Sequence, residues 1–250
     1  STLSWTDLVD LMRVGVRRGK IIVVRPEHDH GAPSYLPNRP RTYVYRRAGE
    51  PCRICGTAVR AAELEGRMSG MKGNEQAQKY LADWMAVNGV PGALNGIYRQ
   101  TFSVSRMNEF KEASSGQTAN VVGVIPGSDA ALKDECVVIG AHFDHIGYGP
   151  KMSQSPSRRE VHPGADDNAT GTVVVMACVK GFGMLRGQNK RTVVLVHFSG
   201  EEMGLIGAKY YCQNPVVPLN KTYVMVNQDM VGRLAGKPCN RTCHMIGDAL

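Results

Sequence analysis

The sequence predicts an α/β fold: a mixed, mostly parallel sheet with helices on both faces, preceded by a small basic N-terminal segment of helix and hairpin. Three observations lead there. Strand-type apolar runs alternate with helix-period segments through residues 68–250, the rhythm of βαβ units. The run Arg191 to Phe198 is almost continuously apolar, as parallel strands buried on both faces are. Four short clusters rich in Asp, Glu and His follow such runs or sit in Gly-rich loops, where an α/β sheet places functional groups beyond the carboxyl ends of its strands.

In chain order, Trp5 to Arg18 reads as a helix whose apolar members are Trp5, Leu8, Val9, Leu11, Met12 and Val16. Ser4 or Thr6 can cap it, and Gly19 ends it. A loop rich in Pro, Gly and His follows from Arg25 to Pro40, then a strand or hairpin arm over Thr42 to Arg47. Asn74 to Asn88 is an amphipathic helix, because Ala77, Tyr80, Leu81, Trp84 and Met85 recur at helical spacing and Gly89 closes it. Tyr98 to Val104 and Ala119 to Ile125 are strands, the second stopped by Pro126-Gly127. Cys136 to Ala141 is a central strand leading into the first acidic cluster. Gly171 to Leu185 and Met203 to Asn214 are helices, and Lys221 to Val226 is the last strand of the run.

A length of 250 residues allows one large or two small domains, and 42% hydrophobic content is ordinary for a soluble globular chain. No apolar run approaches 18 residues, which excludes a transmembrane helix. The start, Ser1-Thr2-Leu3-Ser4-Trp5, shows no signal peptide. Seven scattered cysteines, an odd number, argue against a disulfide framework and fit a reducing, cytoplasmic compartment. Cys136 and Cys178 read as small core residues. Residues 1–67 hold 12 Lys and Arg against 7 Asp and Glu, a net of +5 out of the total of +8. A basic segment of this kind raises the question of nucleic acid.

The four clusters are Ala141-His142-Phe143-Asp144-His145, Gly164-Ala165-Asp166-Asp167-Asn168, Ser199-Gly200-Glu201-Glu202 and Asn227-Gln228-Asp229-Met230. Carboxylates and an imidazole suit Zn²⁺, and two such sets close together suit a pair of ions, which activates water for hydrolysis. A lone Asp-Asp or Glu-Glu pair is ordinarily a solvated surface pair; four clusters in one order at strand ends are not. His197, inside its apolar run, reads as a packed core residue, and His145 and His162 as loop residues near the site rather than ligands.

In spelling and order, Gly140-Ala141-His142-Phe143-Asp144-His145, Pro163-Gly164-Ala165-Asp166-Asp167-Asn168-Ala169-Thr170-Gly171, Phe198-Ser199-Gly200-Glu201-Glu202-Met203-Gly204-Leu205 and Asn227-Gln228-Asp229-Met230-Val231-Gly232-Arg233 resemble the di-zinc aminopeptidase family. The resemblance runs from about residue 65 to residue 250 and implies a fold of the zinc exopeptidase type, two Zn²⁺ ions and a peptide substrate cleaved at its N-terminal bond. It also implies roles: His142 and Asp229 as ligands of one zinc, Asp167 as the bridge between both, Glu202 as ligand of the other, Glu201 as general base, and Asp144 as the residue that orients His142. The family supplies one more ligand, a late His on the zinc of Glu202. Beyond Asp229 this sequence offers only His244, in a stretch that reads as a core strand. One metal position is therefore expected to be complete, activity to be impaired, and the C-terminus to be shortened, leaving a sheet edge and apolar surface exposed.

Tyr45-Arg46-Arg47-Ala48-Gly49-Glu50-Pro51-Cys52-Arg53-Ile54-Cys55-Gly56-Thr57 resembles the C-terminal part of the formamidopyrimidine-DNA glycosylase and endonuclease VIII family, where this pattern opens a DNA-holding zinc finger. Cys52 and Cys55 match its first ligand pair; no second pair follows before Cys136, so half a zinc finger is expected. The division expected is a glycosylase-like fragment over residues 1–67 and an aminopeptidase-like domain over residues 68–250. The leading function is metal-dependent aminopeptidase, with a peptide as partner, no membrane, and weak non-specific nucleic-acid binding through residues 1–67. The alternatives are a DNA-binding remnant or an inactive chimera. Relatives of the peptidase family are often exported, which leaves the compartment open.

Overall fold

The structure, a computed structural model, describes residues 20–23, 62–107, 113–149, 160–185 and 187–231. The expected helix Trp5 to Arg18, the arm Thr42 to Arg47, Cys52, Cys55 and His244 lie outside the described residues.

Among the described residues, six strands form one mixed sheet: β1 (Lys20–Val23), β2 (Arg99–Met107), β3 (Ala113–Ile125), β4 (Cys136–His142), β5 (Thr192–Phe198) and β6 (Thr222–Asn227). Their spatial order is β1-β6-β4-β5-β3-β2. The pairs β1–β6, β6–β4 and β4–β5 are parallel, and β5–β3 and β3–β2 are antiparallel. Among the described residues three α-helices accompany them, α1 (Lys72–Val87), α2 (Gly171–Met184) and α3 (Ile206–Gln213).

Side chains along a strand alternate between its faces, and that alternation builds two cores. Val121, Ile125, Val137, Ile139, Val193 and Leu195 point to one face, where Leu81 and Met85 of α1 and Met176 and Val179 of α2 cover them. Val122, Val138, Val194 and Val196 point to the other, against Phe198 and Tyr211 of α3. All seven residues of β4 and of β5 are buried, which is why both read as continuous apolar runs. Leu81 and Met85 are 1% and 0% exposed; cutting such a side chain back to Ala costs about 2–5 kcal/mol.

His197 sits in β5 fully buried, and neither ring nitrogen finds a hydrogen-bond partner. Desolvation pushes its pKa down to about 3, so it stays neutral. It is a core residue, as its apolar neighbours suggest.

Two expectations are corrected. The edge of β6 is not bare: β1 pairs with it in parallel, Lys20 opposite Val224 through Val23 opposite Asn227. The short β-branched run Ile21-Ile22-Val23 therefore extends the sheet, an element passed over in the sequence because it is only four residues long. The helix expected from Met203 begins at Ile206 instead, because Gly200, Gly204 and Leu205 have positive φ (72°, 97° and 62°), and a chain in that conformation cannot be helical. Among the described residues no helix is long and apolar enough to cross a membrane.

Candidate metal centre

Strands β6, β4 and β5 are neighbours and run the same way, so their carboxyl ends open at one edge of the sheet. His142 is the last residue of β4, the Glu pair follows β5 directly, and Asp229 lies two residues beyond β6. Main-chain bonds continue past the strand ends, Phe143 N to Phe198 O at 2.9 Å and Gln228 N to Gly140 O at 2.8 Å, which fixes the three loops against one another. The Asp loop enters from the side, ahead of α2. Asn168 ties it to the β6 loop, its Nδ2 donating to Gln228 O at 2.9 Å while its Oδ1 accepts from Met230 N at 3.3 Å. The peptide bond Asp167–Asn168 is cis.

The loops bring His142, Asp167 and Asp229 together. His142 Nε2 lies 3.1 Å from Asp167 Oδ1 and 3.5 Å from Asp229 Oδ1. Those spacings match the roughly 3.4 Å edge of a tetrahedral site with about 2.1 Å bonds to nitrogen and oxygen. His142 Nε2 and Asp229 Oδ1 are both buried at the atom level, and neither has a hydrogen bond of acceptable direction. Orphaned buried polar atoms are costly, and two facing one another argue for a missing common partner. The donor set, one imidazole and two carboxylates, fits Zn²⁺. In the absence of metal, burial pulls the pKa of His142 down, but Asp144, Asp167 and Asp229 outweigh it and push it up to about 12. The same closeness to His142 holds the Asp167 carboxyl below its ordinary value, against the opposing effect of burial.

Asp144 is fully buried. Its carboxylate accepts from Glu201 N at 3.2 Å and from Ser69 Oγ at 3.3 Å. The His142 Nδ1 contact is with the Asp144 carbonyl, at 3.2 Å, while the nearer carboxylate oxygen stands 3.6 Å away. Asp144 thus positions the ring through its main chain and the Glu201 loop through its side chain. Glu201 Oε2 is 3.9 Å from His142 Nε2. Desolvation is the main cause of its raised pKa; His142 opposes the rise, and Glu202, Asp144 and Asp229 add to it. A carboxylate with raised pKa beside a metal set is what a general base requires.

A second group joins His145, Asp167 and Glu202. His145 Nδ1 and Glu202 Oε1 are 2.7 Å apart. His145, read from sequence as a bystander in the loop, thus stands inside the site. No spacing rule could have flagged it, although its position three residues after His142 put it within reach.

A buried polar layer lies beneath. Ser199 Oγ meets Ser69 Oγ at 2.7 Å and Thr118 Oγ1 at 2.8 Å, and accepts from Asn74 Nδ2 at 3.2 Å. Ser69 Oγ also accepts from Gly200 N at 2.8 Å. Arg67, 0% exposed, sends Nε to Phe143 O (2.6 Å) and its two terminal nitrogens to Pro163 O (2.8 Å) and Gly164 O (2.9 Å). It straps the β4 loop to the Asp loop. A surface concavity of about 460 Å³ lined by Phe102, Ile206 and Tyr210 contains none of these side chains.

Residues 120–242 match the family described as Peptidase family M28. Leucine aminopeptidase 1 of Arthroderma otae is 33% identical over 122 residues, which is 47% of this chain and 30% of that protein. Endonuclease 8 1 of Mycobacterium tuberculosis is 80% identical over 64 residues, 26% of this chain and 24% of that protein. The chain thus spans less than a third of the curated relatives it matches. Among solved structures, a glutaminyl cyclase from Bacteroides thetaiotaomicron superposes with a TM-score of 0.52 at 13% identity, over 70% of this chain and 61% of that one. A Zn-dependent exopeptidase from Parabacteroides distasonis does so with a TM-score of 0.50 at 16% identity, over 70% and 60%. At such identities the two share the fold. In sequence, the chain therefore joins a short N-terminal segment resembling endonuclease 8 to a longer segment, residues 120–242, that carries the pattern of Peptidase family M28.

Proposed function

We propose that residues 68–250 form a zinc-dependent aminopeptidase that hydrolyses the N-terminal bond of peptides. The observation that carries this reading is the pair of orphaned buried atoms, His142 Nε2 and Asp229 Oδ1, converging with Asp167 beyond the ends of the neighbouring strands β4 and β6. His142, Asp167 and Asp229 would hold one zinc, and Glu202 with the bridging Asp167 would take part in holding a second. When bound, zinc polarises the scissile carbonyl and lowers the pKa of water. Glu201 is the general base: it takes a proton from the attacking water and returns it to the leaving amine. Asp144 holds the Glu201 main chain and the His142 ring, so that base and ligand keep one relative position. The leucine aminopeptidase relatives and the M28 match support the same reaction class.

The test is release of a chromogenic amine from leucine and alanine anilides by the purified chain, before and after chelation. Activity that requires zinc and disappears in Glu201→Gln supports the reading. Zinc binding without hydrolysis of any aminoacyl amide defeats it.

The endonuclease-like segment supports a second role, carried by its net charge of +5: weak, sequence-independent DNA binding. Affinity should fall steeply with added salt and vanish when residues 1–67 are removed. Tight, selective binding of a damaged duplex at physiological salt would contradict it.

A further inference from the structure

We propose that His145 is a zinc ligand, the nitrogen donor of a second metal position that it forms with Asp167 and Glu202. This rests on the metallopeptidase reading and adds a residue to it.

Geometry is the first argument. Ligand atoms of His145, Asp167 and Glu202 all lie within 4.8 Å of one another, and Asp167 belongs to this group and to that of His142 and Asp229. One carboxylate between two three-membered donor sets is the arrangement of a bridged pair of ions. His145 Nδ1 and Glu202 Oε1 are in hydrogen-bond contact at 2.7 Å. Placing an ion between them needs only a small outward shift, toward the roughly 3.4 Å edge of a tetrahedral site.

Confinement of the ring is the second. His145 N donates to Arg67 O at 3.4 Å. The Asp loop passes so close that a Cβ on Gly164 would fall 2.6 Å from His145 Cγ. The His162 ring stands edge-on at 6.4 Å, and its own Nε2 contacts Gly149 O at 2.6 Å. The His145 side chain is only 14% exposed. With its main chain bonded to Arg67 O and its ring flanked by the Asp loop and His162, the imidazole is oriented before any ion arrives, as a ligand is.

Charge is the third, and it is independent of the contacts. Asp144, Asp167, Glu201, Glu202 and Asp229 crowd one site, and Arg67 is the nearby guanidinium that faces Asp144, Asp167 and Glu202. One divalent ion leaves this group of carboxylates in excess; two divalent ions and Arg67 balance it. Unbalanced like charges are costly, most at the fully buried Asp144 and less at Asp167 and Asp229, whose side chains are 39% and 40% exposed.

The experiment measures zinc bound per chain, and its affinity, for the full chain and for His145→Ala, His145→Gln and His142→Ala, with circular dichroism on each. Two zincs are expected in the unaltered chain and one in either His145 variant, the remaining zinc binding as tightly as before. The Gln variant keeps a hydrogen-bonding group against Glu202 while being a poor zinc ligand, so it also reports if the Ala variant fails to fold. X-ray absorption of the unaltered, zinc-loaded chain needs no variant. It should count about one imidazole per zinc, as His142 and His145 would supply. Two zincs of undiminished affinity in both His145 variants would overturn the assignment and point to another histidine such as His244. A single zinc in the unaltered chain would overturn it too. In both cases the metallopeptidase reading stands. No zinc at all removes that reading as well.

Discussion

Replacing Arg67 with Met keeps the length of the side chain and removes its fork and charge. Phe143 O and Pro163 O lose their donor, while Gly164 O keeps the one from Ala169 N at 3.1 Å. A buried acceptor left unsatisfied costs about 1–3 kcal/mol, so the two together set an upper range of ~6 kcal/mol. Pro163 O is only partly buried and can take a water. Removing one member of a buried charged network has a typical cost of about 3–5 kcal/mol, and that is the expected loss. Burial lowers the pKa of Arg67 to about 10 despite Asp144, Asp167 and Glu202, so it is charged at neutral pH and the full charge is lost. The remaining carboxylates then repel one another until an ion neutralises them. Zinc should accordingly restore more stability to the variant than to the unaltered chain. Urea unfolding with chelator and with zinc measures both quantities. Arg67→Lys should fall between the two, because one ammonium keeps the charge but cannot reproduce the planar fork. A loss under about 1 kcal/mol in chelator, or equal gains from zinc in both proteins, would refute the view of Arg67 as the strap between the two loops that carry candidate metal ligands.

Glu201→Gln should lower turnover by at least ~10²-fold with zinc content unchanged, as loss of a general base does; metal analysis beside a rate measurement checks it. His197 makes stability depend on pH. Its folded pKa of about 3 lies below the unfolded 6.5, so the unfolded state takes up the proton first. Stability is then lost as pH falls from about 6.5, at up to about 1.4 kcal/mol per pH unit. Urea titrations from pH 7 to 5 should show this slope, and His197→Leu should flatten it. Gly207→Ala should impair catalysis while sparing the set of His142, Asp167 and Asp229. A Cβ there runs into the Ser199 carbonyl and Asn120 Oδ1, pushing the Glu201 loop outward. Normal turnover in that variant would show that the loop tolerates displacement.

The parts of the fold legible in sequence are those whose signal is burial. β4 and β5 are apolar throughout and were placed to within a residue. β3 begins six residues before its apolar half, at Ala113, because its first half, Ser114-Ser115-Gly116-Gln117, is polar in sequence and carries no periodic apolar signature. The site divides the same way. His142, Asp167, Glu201, Glu202 and Asp229 follow strands or open helices and converge because the strands are parallel neighbours. The place of His145 depends on the direction of one ring, packed against Gly164, on a main chain bonded to the Arg67 carbonyl. Arg67 spends its own donors on main-chain oxygens, which have no residue type to recognise. Contacts of that kind exist only once the chain has folded.

The polar layer under Ser199 bears on how the catalyst would spend its time. Ser69, Asn74, Thr118 and Ser199 bond one another and anchor the main chain of Gly200, while Asp144 anchors that of Glu201. Glu201, the proposed base, therefore has its main chain fixed to a hydrogen-bonded floor. Little reorganisation is left for the moment substrate arrives, and a site preorganised in this way stabilises charge without first having to turn its dipoles. Turnover should then start without a lag and respond weakly to solvent viscosity, in contrast to enzymes whose rate is set by the motion of a lid.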